Sequence, residues 1–326
     1  MKLILFFTFF GIIVAGKAQQ LPQFTQFGNN ISLVNAANFV NETSGIQVGA
    51  RSQMLGFGSE PNTGFVYGHY LLKKKTKPNY NPQLRISRPI PVDSAEQQVL
   101  RQAIGGLVMT DRYGAFGRIH LAGIYNLGLH LNYNWRINGA IKLGFSSLGF
   151  NQDKATPLNV NDPFMMYNGG DLEYDAYAAG NGSGGNLDVG AALMIQNESF
   201  KLGVALEQLT GNSIGFSSGS VYFNQKAHAA IFMGYTYEIE DLIKFEASVL
   251  AKKMNPTPLS VDFSLKSTFP NGLWTGINYR HNSALGLMGG FSINKHFNMG
   301  YSFDIITTRL QAFSNGGHEI ILGYAF

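Results

Sequence analysis

From Gly45 to Phe326 the chain is written in segments of about ten residues whose apolar side chains recur at every second position. In Asn298 to Ile305, Met299, Tyr301, Phe303 and Ile305 alternate with Asn298, Gly300, Ser302 and Asp304. Val261, Phe263 and Leu265 alternate in the same way with Ser260, Asp262, Ser264 and Lys266, and Leu202, Val204 and Leu206 with Lys201, Gly203, Ala205 and Glu207. A helix returns to the same face every 3.6 residues, so a sustained period of two excludes it and requires strands with one apolar and one polar face. Charges fall on one face only. Extended along the chain, the alternation puts Arg51, Lys142, Lys201, Glu207, Lys252, Asp262, Lys266, Arg280, Asp304 and Glu319 on polar faces.

Clusters of Gly, Asn, Pro and Asp divide this region into strands expected at 46–56, 62–72, 102–112, 117–131, 135–150, 187–196, 200–210, 225–238, 243–254, 258–268, 272–281, 285–294, 297–308 and 317–326. These make about fourteen, an even number, as a single-chain bacterial barrel needs. With both ends of the barrel on the periplasmic side, the even connections should be short periplasmic turns. Those at 132–134, 197–199, 239–242, 270–272 and 295–296 are short. Two of the odd connections, 151–186 and 211–224, are long enough to be external loops. The stretch 73–101, with Lys73, Lys74 and Lys75, is either a periplasmic insertion, which the parity favours, or hides a further pair of strands in 84–92.

Composition separates a membrane barrel from a soluble sheet protein. Only 13% of residues are charged while 45% are hydrophobic, against about 25% charged in a soluble domain. Mean hydropathy is nevertheless −0.02, because a lipid-facing and a lumen-facing set cancel along every strand. Residues 1–18 read as a cleaved signal peptide: Lys2, an apolar run from Leu3 to Val14, then small residues at Gly16 and Ala18. Residues 19–44 form an N-terminal periplasmic or lumen segment, and 45–326 the transmembrane barrel. With no cysteine, the chain carries neither disulfides nor a lipid anchor on a terminal Cys. The formal charge of +4 falls to +2 once Lys2 and Lys17 leave, too small an excess for a nucleic-acid partner.

No catalytic or cofactor-binding pattern emerges. The histidines at 69, 120, 130, 228, 281, 296 and 318 lack metal-ligand spacing, so no metal or other cofactor is expected. His281 with Ser283, and Ser314 near His318 and Glu319, are the only arrangements suggesting a rim hydrolase, and no Gly-x-Ser-x-Gly elbow accompanies them. The Gly180–Gly185 stretch lacks the lysine of a phosphate loop and reads as flexible external loop. The lumen-facing charges Arg51, Asp262, Arg280, Asp304 and Glu319 are of both signs. They suit an ion network that closes the interior better than a solute-selecting eyelet.

Several short motifs resemble the PorP/SprF family of Bacteroidetes outer-membrane proteins associated with type IX secretion and gliding motility. They are Gln20-Leu21-Pro22-Gln23-Phe24-Thr25-Gln26-Phe27, Asn35-Ala36-Ala37, and Gly49-Ala50-Arg51-Ser52-Gln53-Met54. Ile104-Gly105 with Asp111 and Gly114, Gly300-Tyr301-Ser302-Phe303-Asp304, and Gly316-Gly317-His318-Glu319-Ile320 complete the set. Ala36 stands where the family has Pro, and Met54 where it has Trp.

The resemblance implies a non-catalytic barrel in the bacterial outer membrane. Such a barrel assists the secretion of a partner and anchors it at the cell surface, the partner being a secreted protein or adhesin with a type B C-terminal domain. Other type IX secretion components would be further partners. In the external loop, Phe164, Met165, Met166, Tyr167, Tyr174 and Tyr177 are the candidate contacts. A passive or ligand-specific channel is the alternative, supported by the polar lumen face. Ile320, Leu322, Tyr324 and Phe326 form one row facing outer-membrane lipid. Tyr324 and the terminal Phe326 resemble the signal read by the barrel-assembly machinery.

Overall fold

The computed structural model describes residues 22–56, 60–72, 100–131, 134–151, 154, 183–211, 213–216, 221–224, 226–239, 242–293 and 296–326. Its first seven strands are β1 (Gly45–Ser52), β2 (Asn62–Leu72), β3 (Leu100–Tyr113), β4 (Phe116–His130), β5 (Arg136–Phe150), β6 (Ser183–Gln196) and β7 (Phe200–Glu207). A short hairpin follows, β8 (Ser213–Phe216) with β9 (Val221–Asn224). The remaining strands are β10 (His228–Ile239), β11 (Ile243–Met254), β12 (Ser260–Thr268), β13 (Leu273–Arg280), β14 (Ala284–Ile293), β15 (Phe297–Ile306) and β16 (Gly317–Ala325).

All but the hairpin pair antiparallel with their neighbours in sequence, β7 with β10, and β1 closes on β16 to give a fourteen-strand barrel. At the closure Gly45 faces Ala325 and Arg51 faces Glu319, and the Phe326 amide donates to the Ser44 carbonyl at 2.8 Å. Closure leaves no open sheet edge around the wall, the condition a sheet must meet in lipid. The outer face carries the apolar set. Leu143 is 62% exposed and Leu193 61%, a display that water would penalise and hydrocarbon solvates.

The expected strands are present, with instructive differences at their ends. The first expected strand ran to residue 56 but β1 stops at Ser52, because Met54 and Gly56 take left-handed backbone conformations at φ 52° and 88°. Gln208, at φ 57°, likewise ends β7 short of the expected residue 210. β6 begins at Ser183, so Ser183-Gly184-Gly185 are strand rather than flexible loop. The hairpin β8–β9 lies in the connection read as loop; its four-residue runs are too short to show a period. β2 pairs directly with β3, Leu72 opposite Gln102, so the barrel closes without strands from 84–92, which lie outside the described residues.

The interior is occupied by residues 22–44. A short helix, Ile31–Val34, and a 3-10 turn, Ala36–Asn41, are joined at Asn35, whose side chain accepts from the Ala37 amide at 3.0 Å. Phe24, Phe27, Phe39 and Val40 are buried against wall residues that include Phe65, Tyr67, Ile124, Phe232 and Leu250. Phe24 meets Phe65 edge-on at 5.2 Å, and Phe39 stacks on His69 at 5.0 Å. The wall leaves room for this plug. A Cβ on inward-facing Gly105 would lie 2.6 Å from the Phe39 ring, and one on Gly203 would lie 2.5 Å from the Asn35 amide. Glycine at these places is set first by the segment inside, with the Gly68 carbonyl and the Met194 methyl of the wall adding tight contacts at 3.0 and 3.1 Å.

Candidate functional site

Strand register puts the inward charges beside one another. Arg51 and Glu319 are direct cross-strand partners on β1 and β16, and Arg280 and Asp262 are partners on β13 and β12. Arg51 Nη1 lies 2.7 Å from Glu319 Oε2, while its Nη2 pairs with Asp304. Arg280 Nε donates to Asp262 Oδ1 at 2.7 Å, and its Nη1 lies 3.8 Å from Asp304 Oδ2, so Asp304 joins the two groups. Lys252 adds a third cation, 3.7 Å from Asp262. The structure thus brings together Arg51, Asp262, Arg280, Asp304 and Glu319, with all five side chains less than a tenth exposed.

These charges hold the plug. Glu319 accepts the Thr25 amide at 2.7 Å and the Gln26 amide at 3.1 Å. The Thr25 hydroxyl donates to Asp304 at 2.5 Å and accepts from Arg51 at 2.5 Å. A carboxylate that accepts two backbone N–H groups and a guanidinium is held by charge-assisted bonds, the strong class of hydrogen bond. Thr25 and Gln26 are functional positions that periodicity could not reveal. They lie 294 and 293 residues from their partner in a segment with no regular repeat.

Further pins follow the plug toward the other end of the barrel, where the short turns lie. Gln47 donates to Asn30 at 2.5 Å and Lys266 to Asn29 at 3.0 Å. Asn126 donates to the Ala36 carbonyl at 2.5 Å, Asn35 to the Leu193 carbonyl at 3.1 Å, and Asn138 to Asn41 at 3.1 Å. The wall therefore grips the segment from β1, β4, β5, β6 and β12, on opposite sides of the barrel. That arrangement places the segment inside the lumen, bonded around its wall, rather than as a tail lying across one mouth.

A second polar cluster faces the plug from β4 to β7. Lys142 pairs with Glu207, Arg118 and His120 share the Ser146 hydroxyl at 3.0 and 2.8 Å, and His120 lies 3.8 Å from Asp188. Lys142 and Glu207 were legible on polar faces; Arg118, His120 and Asp188 were missed. The i, i+2 spacing of Arg118 and His120 on one strand was a signal available in the sequence. A cavity of about 90 Å³ lies between this cluster and the apolar side of Phe24, Phe27, Leu33 and Val34. Beyond the first network, at the end carrying the long connections, a vestibule of about 500 Å³ is lined by Gln23, Arg51, Lys252, Arg280 and Asp304.

The remaining sequence candidates divide clearly. His281 is bonded to Asn282, and the Ser314 hydroxyl accepts the Gly316 amide, so neither joins a serine to a histidine. Tyr324 and Phe326 sit at the turn end, 52% and 63% exposed on the outer face, their rings 6.5 Å apart. Phe164, Met165, Met166, Tyr167, Tyr174 and Tyr177 lie outside the described residues.

Comparison with known proteins matches this architecture. Among solved structures, the Ralstonia pickettii toluene transporter TbuX is similar at a TM-score of 0.50 with 8% identity, covering 90% of this chain and 92% of that one. A deltaS2 mutant of the TodX monoaromatic hydrocarbon channel gives 0.50 with 11% identity, covering 91% and 94%. Omp33 of Acinetobacter baumannii gives 0.45 with 11% identity, covering 87% and 99%. At these identities the likeness is one of fold, that of an outer-membrane barrel. No curated protein sequence matches the chain. The family model described as type IX secretion system membrane protein PorP/SprF matches residues 16–324, nearly the whole length. The chain is therefore an outer-membrane β-barrel that belongs to the PorP/SprF family of type IX secretion system membrane proteins.

Proposed function

We propose that this barrel is non-catalytic and works by binding: it assists secretion of a partner with a type B C-terminal domain and holds that partner at the cell surface. The observation that carries this reading is the filled lumen. A segment held inside by Glu319, Asp304 and Asn126 takes up lumen that a solute channel would need, whereas a binding barrel needs only its mouth and loops. In this reading the end with the long connections faces outward, and the aromatic loop residues Phe164, Tyr167, Tyr174 and Tyr177 supply anchors on a polar surface. The decisive test is deletion of the gene followed by antibody labelling of type B adhesins on intact cells. Loss of one such adhesin from the surface, restored by the wild-type gene, is expected; full display in the deletion strain refutes the reading.

One observation favours a second reading, a channel for small apolar molecules. The cavity of about 90 Å³ has one apolar wall, formed by Phe24, Phe27 and Leu107 among others, opposite its polar one, and TbuX, of similar fold, is a toluene transporter. Uptake of a small aromatic hydrocarbon that falls on deletion, with every adhesin still displayed, selects this reading instead.

A further inference from the structure

The plug has a direction. Residue 44 joins β1 at the turn end, where the Ser44 carbonyl accepts the Phe326 amide and Gly45 faces Ala325. Followed backward from there, the segment climbs β1: Asn30 is bonded to Gln47, and Thr25 to Arg51. The stretch of β1 from Gly45 to Arg51 covers about 20 Å along the wall. β6, five strands round the barrel, gives the same order. Asn41 is held by Gln196, the last residue of that strand, and Asn35 by the Leu193 carbonyl, while Pro22 and Phe24 share a cavity with Asp188. Gln23 then lines the vestibule together with His281, Asn282 and Ser283, which connect β13 to β14 at the loop end.

Bonds on two well-separated strands thus run the same way, so residues 22–44 cross the lumen once, with residue 44 at the turn end and residue 22 toward the loop end. The peptide bond from Ser44 to Gly45 ties the segment to the wall, and its other end is a chain end. Cleavage after Ala18, expected from the sequence, leaves only Gln19, Gln20 and Leu21 before Pro22. Three residues reach about 10 Å at full stretch, too short to run back past the plug to the turn end. We infer that the mature chain carries its amino terminus through its own barrel and presents it at the cell surface, on the outward mouth where a secreted polypeptide would dock. The carboxyl terminus, Phe326, stays at the turn end, so the two chain ends face opposite sides of the membrane although both ends of the wall lie on one side. Around the amino terminus the mouth is apolar, with Leu259 57% and Leu310 41% exposed on the vestibule lining. The inference rests on the partner-binding reading above for the side that the loop end faces.

The chain has no cysteine, so single-cysteine variants report one position each. Gln20→Cys and Thr43→Cys mark the two ends of the plug, and Gln311→Cys and Glu198→Cys mark the loop end and the turn end of the wall; Thr43, Gln311 and Glu198 are exposed. The reagent is a maleimide on a polyethylene glycol chain too large for porins, applied to intact cells and to cells with a permeabilised outer membrane. On intact cells Gln20→Cys should react to within twofold of Gln311→Cys, whereas Thr43→Cys and Glu198→Cys should gain at least tenfold on permeabilisation. Heat-dependent mobility in detergent gels confirms that each variant is a folded barrel, and Gln23→Cys replaces Gln20→Cys if the latter is not assembled. A folded Gln20→Cys variant that reacts only after permeabilisation, or under neither condition, while Gln311→Cys reacts on intact cells, overturns the inference. So does the inverted pattern, in which Glu198→Cys reacts on intact cells and Gln20→Cys and Gln311→Cys do not. If Gln20→Cys reacts as expected while adhesin display survives deletion of the gene, the outward amino terminus stands and the partner-binding reading fails.

Discussion

Replacing Arg51 by Met tests how the plug is held. The change removes the one cation bonded to both Asp304 and Glu319, whose side chains are 9% and 1% exposed. Breaking a buried pair by deleting one member costs about 3–5 kcal/mol, because the partner's charge stays desolvated. Two carboxylates lose their partner here, which argues for the upper part of that range. Arg280, already 3.8 Å from Asp304, can approach it and lowers the cost. We expect about 4 kcal/mol, or nearly three decades in the equilibrium between seated and released plug. Urea unfolding of the purified protein in detergent measures the total. Trp274 reports the lumen because it is 3% exposed and lies inside the wall under the Lys266 ammonium. Removing the carboxylate too, in Arg51→Met with Glu319→Met, should cost less than the two single changes added together, by about 1–3 kcal/mol. A loss below about 1 kcal/mol in the single variant, or strict additivity in the double, would refute the latch.

Three further outcomes follow from the same geometry. Gly105→Leu should evict the Phe39 ring, since even a Cβ there lies 2.6 Å from it, and protease should then cleave within 22–44 in a barrel that still migrates as folded. Leu143→Arg, on the lipid face, should destabilise the barrel by about 2–4 kcal/mol if that position sits near the bilayer midplane; refolding into vesicles against a urea series measures it. Phe326→Ala removes an exposed aromatic ring beside Tyr324 but keeps the backbone bond to Ser44, and should lower the amount of chain in outer-membrane fractions several-fold, read by immunoblot, with little change in the stability of the protein refolded in detergent.

The wall was legible in the sequence because its physics is local. Alternation in β15 places Tyr301 outside and Asp304 inside from eight residues alone, and the same parity assigns Arg51, Asp262, Arg280 and Glu319 to the interior. What the charges do there was not legible. Their bonds to Thr25 and Gln26 cross nearly the whole chain, and the plug consists of a four-residue helix and a 3-10 turn that share no period with the strands. Inward glycines such as Gly105 and Gly203 were visible as residues, but their reason is Phe39 and Asn35, which only the tertiary structure places opposite them. Strand ends shifted where left-handed backbone at Met54 and Gln208 broke the ladder, a conformation that neither residue type announces.

A lumen closed by residues 22–44 is the claim on which the proposed function depends, and ion conductance across a planar bilayer tests it most directly. The wild-type chain, inserted at concentrations that give steady channels with an open porin, should show no stable conductance steps. Steady, reproducible steps from the unmodified protein would contradict the account.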